Sequence, residues 1–482
     1  MAPVRPQPPT APRAVAWRTW QLLAAIISGG AALRLIGLGR ESLWNDELGS
    51  WTQYTLPTIW TAIVYTSPQH VPGYWMLMHV WTRLAGDSET MLRLPSALFG
   101  IATIPAMFAL GRRCYGDREA LIAAGLTTVA WAPVYYSQEA RPYALLLLAV
   151  VLATTWLIDV TRALGAGATP PRRAQLGYVV AATAAAYAHY FGAALVGLQL
   201  AAAAFALRRR RGAWRALAPL AAALLIAYAP LVRRAMRVVP GGLNARITPD
   251  LTDVWLLLCF FFNQSAVVAG LAVTVTALAI GRGLARREWP RPATWLLVAW
   301  LAVPVAAVFA WSRAVSWIFV DQALMIVLPA AYLLLARALT QLPLTRATAP
   351  ALLALLFVHL VAVRQFYTAP FKEQFREAAA YLVAHDDRTA PTLVFASAWN
   401  PGYFNYYLAR LGSPRRVERL VEVATDATAI EALVAARRPR DVWLLAGHKV
   451  PDPALLAALA EQMTLADERH FIRASVRHYR VR

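Results

Sequence analysis

Long apolar runs separated by short polar interruptions fill the first three quarters of the chain. A helix that spans a bilayer needs about 20 mostly apolar residues. Eleven runs approach that length, near residues 17–38, 94–111, 119–136, 142–161, 176–190, 191–207, 215–232, 254–281, 293–311, 321–340 and 348–366. The pattern predicts a polytopic α-helical membrane protein with about 11 transmembrane helices. A further run, Val71 to Ala85, has about 15 residues and carries His79 and Arg83, so its length alone does not decide whether it crosses. Beyond Pro370 the periodicity changes. Phe371 to Ala384 reads as an amphipathic helix, Thr392 to Ser397, Asp441 to Ala446 and Phe471 to Val481 as strands, and Tyr403 to Leu411 and Ala454 to Glu461 as helices.

Three segments are expected from this pattern. Residues 1–16, rich in proline and alanine and without the apolar core of a signal peptide, read as a disordered cytoplasmic arm. Residues 17–369 form a transmembrane domain whose external loop 39–93 carries surface helices. Residues 370–482 form a small C-terminal α/β extracytoplasmic domain.

The arginines orient the chain. If Val71 to Ala85 lies flat on the outer surface and the N-terminus is cytoplasmic, the dense clusters all fall inside: Arg112, Arg113 and Arg118; Arg162, Arg172 and Arg173; Arg208 to Arg211 with Arg215; Arg282, Arg286, Arg287 and Arg291; Arg337 and Arg346. On that map 20 of the 31 basic residues before Pro370 sit inside, as the positive-inside rule requires. A crossing at Val71 to Ala85 would turn every cluster outward. Loop 39–93 and the tail are therefore expected to face the outside together, which for a bacterial cytoplasmic (inner) membrane is the periplasm.

Composition agrees. Of the 482 residues 59% are hydrophobic and 15% charged, against about 25% charged in soluble chains, which excludes an ordinary soluble enzyme. The net charge of +21 follows from topology, so no nucleic-acid partner is expected. Cys114 and Cys259, expected near opposite faces, make neither a disulfide framework nor a zinc cluster.

Ionisable groups in or beside a membrane are costly and become functional candidates by default. Asp46 and Glu47 follow the first crossing; they suit an acid–base site, or equally the acidic first turn of a helix. The stretch Ser137-Gln138-Glu139-Ala140-Arg141-Pro142-Tyr143 is squeezed between two apolar runs. Cheaper residues would build a turn, so Glu139 and Arg141 suggest a site, with a self-neutralising pair as the other reading. His189 and Tyr190 lie at another outer hairpin, where an aromatic-belt anchor is the plainer reading. Arg233, Arg234, Arg237 and Arg246 flank Pro240-Gly241-Gly242 outside, against the topological trend, and Arg313 ends a later run. Guanidinium forks match phosphate oxygens, although attraction to ordinary anionic headgroups explains them too. His70 is a further candidate beside the surface segment.

In order, "LWNDE", "HVPGYWMLMHVWTRLAGDSETMLRLPSALFG", "YYSQEARPYALLLL" and "AHYFGAAL" resemble the GT-C superfamily of membrane glycosyltransferases, close to the family 39-like branch of protein mannosyltransferases and lipid A aminoarabinose transferases. The tail opening "FKEQFREAAAYL" is also similar. The resemblance implies a GT-C fold, a polyprenyl-phosphate sugar donor, and inverting transfer on the outer face to a lipid, glycan or protein hydroxyl. It maps the catalytic carboxylate onto Asp46, with Glu47 beside it and Glu139 opposite in the second external loop. His70, Tyr74, Gln138, Arg141, Tyr143, His189, Tyr190 and the outer arginines become substrate-binding candidates. Some relatives bind a divalent metal, for which His70, His189 and the carboxylates could supply ligands. Many relatives carry an arginine where Gln322 stands, ahead of Pro329, so a phosphate role there passes to Arg313 or to the Arg233 to Arg246 loop. A monomer among membrane lipids suffices for such chemistry.

A transporter or lipid-linked sugar flippase is the alternative. It predicts ionisable groups near the middle of the membrane, whereas Asp159 lies towards a cytoplasmic end. A purely structural subunit leaves the external Asp, Glu, Arg and His unexplained.

Overall fold

The computed structural model describes residues 13–210, 212–237, 248–285, 292–342, 346–398, 400, 402–417, 434–448 and 450–482. Residues 1–12 of the expected arm, Arg246 and the Pro240-Gly241-Gly242 segment lie outside the described residues.

The apolar runs fold as helices. In chain order these are α1 (Arg13–Leu35), α2 (Asn45–Tyr54), α3 (Ile59–Tyr65), α4 (Gly73–Ala85), α5 (Glu89–Cys114), α6 (Asp117–Val129), α7 (Trp131–Ser137), α8 (Tyr143–Gly165), α9 (Arg172–Ala188), α10 (Tyr190–Leu207), α11 (Ala218–Ala235), α12 (Leu251–Phe261), α13 (Ala266–Ala285), α14 (Pro292–Ala314), α15 (Leu328–Gln341) and α16 (Thr348–Val358). The tail adds α17 (Phe375–His385), β1 (Thr392–Ser397), α18 (Gly402–Arg410), β2 (Asp441–Gly447), α19 (Pro453–Gln462), β3 (Met463–Phe471) and β4 (Ala474–Val481).

Among the described residues seven helices are long and apolar enough to cross a membrane, and the bent pair α6–α7 makes up to eight. The chain is a multi-pass membrane protein, but length and composition give fewer crossings than eleven. The reasons are local. α9 has 17 residues and opens on Arg172 and Arg173, α16 ends after 11 residues in the π-turn His359–Val363, and α1 carries Arg13, Arg18 and Arg34. The run 254–281 is two helices: Asn263 and Gln264 sit at φ of 60° and 57° between α12 and α13, a left-handed geometry that ends a helix.

Contacts divide the chain into two compact units, the first comprising Met1–Ile36, Ile63–Leu77 and Arg93–Gln365, the second Gly37–Ala62, Met78–Leu92 and Phe366–Arg482. The second unit thus combines the tail with much of loop 39–93, and the division does not follow chain order.

In the first unit a polar clamp holds the bend between α6 and α7, which is 56°. Pro133 cannot donate to the carbonyl four residues earlier and its ring clashes there, so a continuous helix is broken. The stranded groups are then satisfied from elsewhere. The fully buried guanidinium of Arg34 donates to the carbonyls of Thr127 (2.8 Å), Thr128 (3.3 Å) and Gly30 (3.1 Å) and to Ser137 Oγ (3.2 Å). On the other side of the break, Asn263 Oδ1 accepts the Trp131 N–H at 2.7 Å while Asn263 Nδ2 donates to the Leu356 carbonyl at 2.8 Å.

In the second unit the sheet order is β1-β2-β4-β3, with β1 parallel to β2 and both remaining pairs antiparallel. β2 is buried along its whole length. Leu393, Phe395, Val442, Leu444, Leu459 and Tyr479 form the core under α19. The expected strand Phe471 to Val481 is in fact the second arm of a hairpin turning at Ile472 and Arg473, and its partner β3 escaped the sequence pattern because that edge strand is mostly exposed and polar.

Candidate active site

Glu139 and Arg141 lie in the seven-residue polar stretch between α7 and α8, both in the first unit. Glu139 is fully buried and Arg141 nearly so. The stretch is fixed from both sides. Gln138 Nε2 donates to the carbonyls of Leu33, Arg34 and Ile36, between 3.0 and 3.2 Å, capping the end of α1. Ser96 Oγ, itself bonded to Tyr74 Oη at 2.8 Å, donates to the Arg141 carbonyl at 3.2 Å. A side chain at Gly100 would collide with Ser137 Oγ and Arg34 Nε, so glycine is what lets α5 approach this stretch.

Around Arg141 the chain gathers aromatic rings and two histidines. Its guanidinium carbon lies 5.8 Å from the Tyr143 ring centre, and the Tyr143 ring is 6.3 Å from that of His189. His70 stacks on Trp75 at 5.0 Å. Burial, helped by Arg141, His189 and Arg234, lowers His70 to about 3. Burial and then Arg141 lower His189 to about 4. Both imidazoles are therefore neutral at physiological pH. Tyr136 lies within electrostatic range of Glu139, Arg141, Tyr143 and Asp321, which draws the middle of the α14–α15 connection into the same group. Burial and then Asp253 push the Asp321 carboxyl up.

Several expected ligands serve the scaffold. Gln138 caps α1, as above. Arg234 donates to the carbonyls of Ile63, Thr66, Ser67 and His70, pinning the loop that presents His70, and Tyr190 Oη donates to the Pro68 carbonyl at 2.9 Å. Arg313 donates to the Pro249 carbonyl at 2.8 Å and lies 5.8 Å from the Phe309 ring. Arg233 and Arg237 are exposed. Gln322 stands at the start of a 3₁₀ turn, Ala323–Val327, that leads into α15. Beside Arg313 an apolar recess of about 360 Å³ runs between α12 and α14, lined by Leu251, Val254, Leu257, Phe261, Leu301 and Phe309. Among the described residues no three of His, Cys, Asp and Glu are grouped to hold a metal ion.

Asp46 belongs to the second unit, in the first turn of α2, where tail residues fix the backbone around it. Glu47, fully buried, pairs with the buried Lys372 Nζ at 3.3 Å and accepts the Trp44 N–H at 3.4 Å. Glu373 Oε2 accepts the Asn45 N–H at 2.7 Å, and its Oε1 lies 2.6 Å from His448 Nδ1. Ser42 donates to the Glu373 carbonyl at 2.8 Å, and the Leu43 N–H donates to Tyr407 Oη at 2.6 Å. Asp46 itself is only half-buried. Burial, and then Asp46 and Glu373, push Tyr403 up to about 12, so its hydroxyl remains a donor beside Asp46. Of the adjacent acids, Glu47 is committed to holding the turn, and Asp46 is the more exposed.

His448, Arg34 and Asn263 carried no signal in the sequence, Ser137 entered only as part of the polar stretch 137–143, and Lys372 and Glu373 only as part of the tail opening. Lys372 and Glu373 stand in a tail segment that reads as an ordinary amphipathic helix, and Arg34 reads as the end of a crossing.

Residues 69–233 match the family described as dolichyl-phosphate-mannose-protein mannosyltransferase. No curated protein matches the chain. Among solved structures, ArnT from Cupriavidus metallidurans bound to undecaprenyl phosphate is similar at 14% identity and a TM-score of 0.60, over 96% of this chain and 98% of that one. The arabinofuranosyltransferase AftD from Mycobacteria is similar at 16% identity and a TM-score of 0.50, over 98% of this chain and 40% of that one. By family model and by fold alike, the chain resembles the GT-C superfamily of membrane glycosyltransferases and carries its fold.

Proposed function

We propose that this protein transfers a sugar from a polyprenyl-phosphate donor to a hydroxyl of a lipid, polysaccharide or protein on the outer face of a bacterial inner membrane, with inversion. The observation that carries the reading is the buried Glu139–Arg141 stretch with Tyr143, His70 and His189 around it, in a chain of GT-C fold. Buried ions at the end of apolar helices are costly unless they serve a substrate.

Asp46 is the base. An acceptor hydroxyl has too high a pKa to attack unaided, so the carboxylate takes its proton as the oxygen bonds to the anomeric carbon. The bond from that carbon to the phosphate oxygen breaks on the opposite face, and polyprenyl phosphate leaves with the bonding electrons. Arg141 stabilises the charge gathering on that leaving group, which then needs no proton. The neutral histidines and Tyr143 line the sugar, and Glu139 orients a hydroxyl. The apolar recess between α12 and α14 suits the isoprenoid chain. Undecaprenyl phosphate is bound in the ArnT structure, and this chain is assigned the same class of donor by analogy of fold.

Asp46→Asn removes the base and keeps the shape. Purified variant protein, supplied with a panel of labelled polyprenyl-phosphate sugars and membrane acceptors, is expected to bind donor as the parent does and to lose transfer by 100-fold or more, on the order of a general-base contribution. Undiminished transfer would remove Asp46 from the mechanism.

A further inference from the structure

A second recess lies in the first unit, remote from Arg141. Ser96 on α5 bonds the Arg141 carbonyl, and α5 runs from there to Arg112 and Arg113. α8 likewise begins at Tyr143 and reaches Arg162 nineteen residues later, roughly 30 Å away at the rise of an α-helix. At that far end a cavity of about 390 Å³ opens where α1, α5 and α8 meet, lined by Trp20, Leu23, Pro105, Phe108, Arg112 and Arg162 among others.

Its arginines are not equivalent. Arg113 is committed: Nε and Nη2 each hold an Asp159 oxygen at 2.8 Å, and Nη1 donates to the Ala109 carbonyl. That bidentate pair ties α5 to α8 and cancels its own charge. Arg162 donates to the Arg113 carbonyl, which satisfies one donor without cancelling charge. Arg112 lies 5.8 Å from the Trp20 ring and 5.6 Å from that of Phe108. Its Nε meets Asp117 at 2.7 Å, but that pair is 46% and 43% exposed and weakened by solvent. A guanidinium has five N–H donors, so these bonds leave most of both forks for another acceptor. Arginines that only orient a helix need do no more than reach water; these flank a recess lined also by Leu23, Pro105 and Phe108, and one of them lies within cation–π range of two rings.

We infer that this recess binds an anionic phospholipid of the adjoining leaflet, with the headgroup phosphate between Arg112 and Arg162 and the acyl chains against Leu23, Pro105 and Phe108. A basic pocket between helices at a membrane surface suits that chemistry, and the aromatic and proline surfaces suit the chains rather than a free anion.

The test is native mass spectrometry of the full chain in detergent with phosphatidylglycerol or phosphatidylcholine added. Phosphatidylglycerol should be retained preferentially, and Arg112→Gln with Arg162→Gln should weaken that retention roughly tenfold while phosphatidylcholine is unaffected. Arg172→Gln with Arg173→Gln, at the exposed start of α9 and outside the recess, should change nothing. Equal retention by the parent and the Arg112/Arg162 variant overturns the site. Equal losses in both pairs reduce it to bulk charge and overturn it as well. Polyprenyl phosphate that displaces phosphatidylglycerol from the parent but not from the variant would make it a second donor-lipid site and overturn the phospholipid assignment. If the double variant does not fold, Arg112→Gln alone, which keeps the Arg162 bond, should lose about threefold.

Discussion

A break in a membrane helix strands backbone groups that water cannot reach, and two residues repair this one. Arg34 serves the carbonyls before the break, and Asn263 serves the Trp131 N–H after it. Because Asn263 also donates to Leu356, Asn263→Ala leaves two buried groups without that partner, at about 1 to 3 kcal/mol each. Thermal unfolding in detergent should show a loss of about 2 to 4 kcal/mol. Asn263→Gly, which tolerates the positive φ, should lose nearly as much if the hydrogen bonds dominate; recovery with glycine would instead assign the effect to backbone strain. The two histidines near Arg141 make a second prediction. Both have folded pKa values below the usual 6.5, about 3 for His70 and 4 for His189. Between those values and 6.5 the unfolded chain binds more protons, so stability falls as pH falls, by up to about 1.4 kcal/mol per pH unit for each histidine. Melting temperatures should drop from pH 6.5 towards 4, and His70→Gln should flatten the slope; a flat parent profile contradicts the neutral assignment. Glu139, Arg141, Tyr143, His70 and His189 were legible as polar residues out of place. Arg34 and Asn263 were not, because the groups at the break that they serve lie more than 90 residues away.

The first turn of α2 shows how far an element can depend on chain distant from it. Residues 44–47 carry an acidic helix start that sequence reading recognises at once, yet it is Lys372, Glu373 and Tyr407 that fix it. Breaking a buried pair from one side costs more than replacing both partners, because the survivor keeps its charge without compensation. Lys372→Ala should therefore destabilise the protein by about 3 to 5 kcal/mol and speed amide exchange over residues 44–48. Lys372→Met combined with Glu47→Leu should recover much of the loss. A single variant as stable as the parent would show that the pair does not hold the turn. The apolar runs located most helices to within a few residues because burial and length dominate there. They missed the break at 262–265, where "CFFFNQS" continues the apolar run until Asn263 and Gln264 turn it. Edge strand β3 was missed because it has little buried face to pattern.

At the scale of the whole molecule, charge and architecture address the same question from different directions. The fold places the Arg141 group and the Arg113 recess at opposite ends of α5 and α8, while the sequence places sparse arginines at the first and dense clusters at the second. A bilayer whose cytoplasmic leaflet retains arginine-rich loops would leave the first end outside, where the proposed transfer occurs. Impermeant maleimide labelling tests the orientation with little background, since Cys114 and Cys259 are both buried. Gln69 is exposed in the loop that presents His70, and Gly212 is exposed beside the cluster Arg208 to Arg211. In right-side-out vesicles Gln69→Cys should react at once, and Gly212→Cys only after the membrane is permeabilised. The reverse order would place the buried Glu139–Arg141 stretch on the cytoplasmic side, and transfer on the outer face would then have no site.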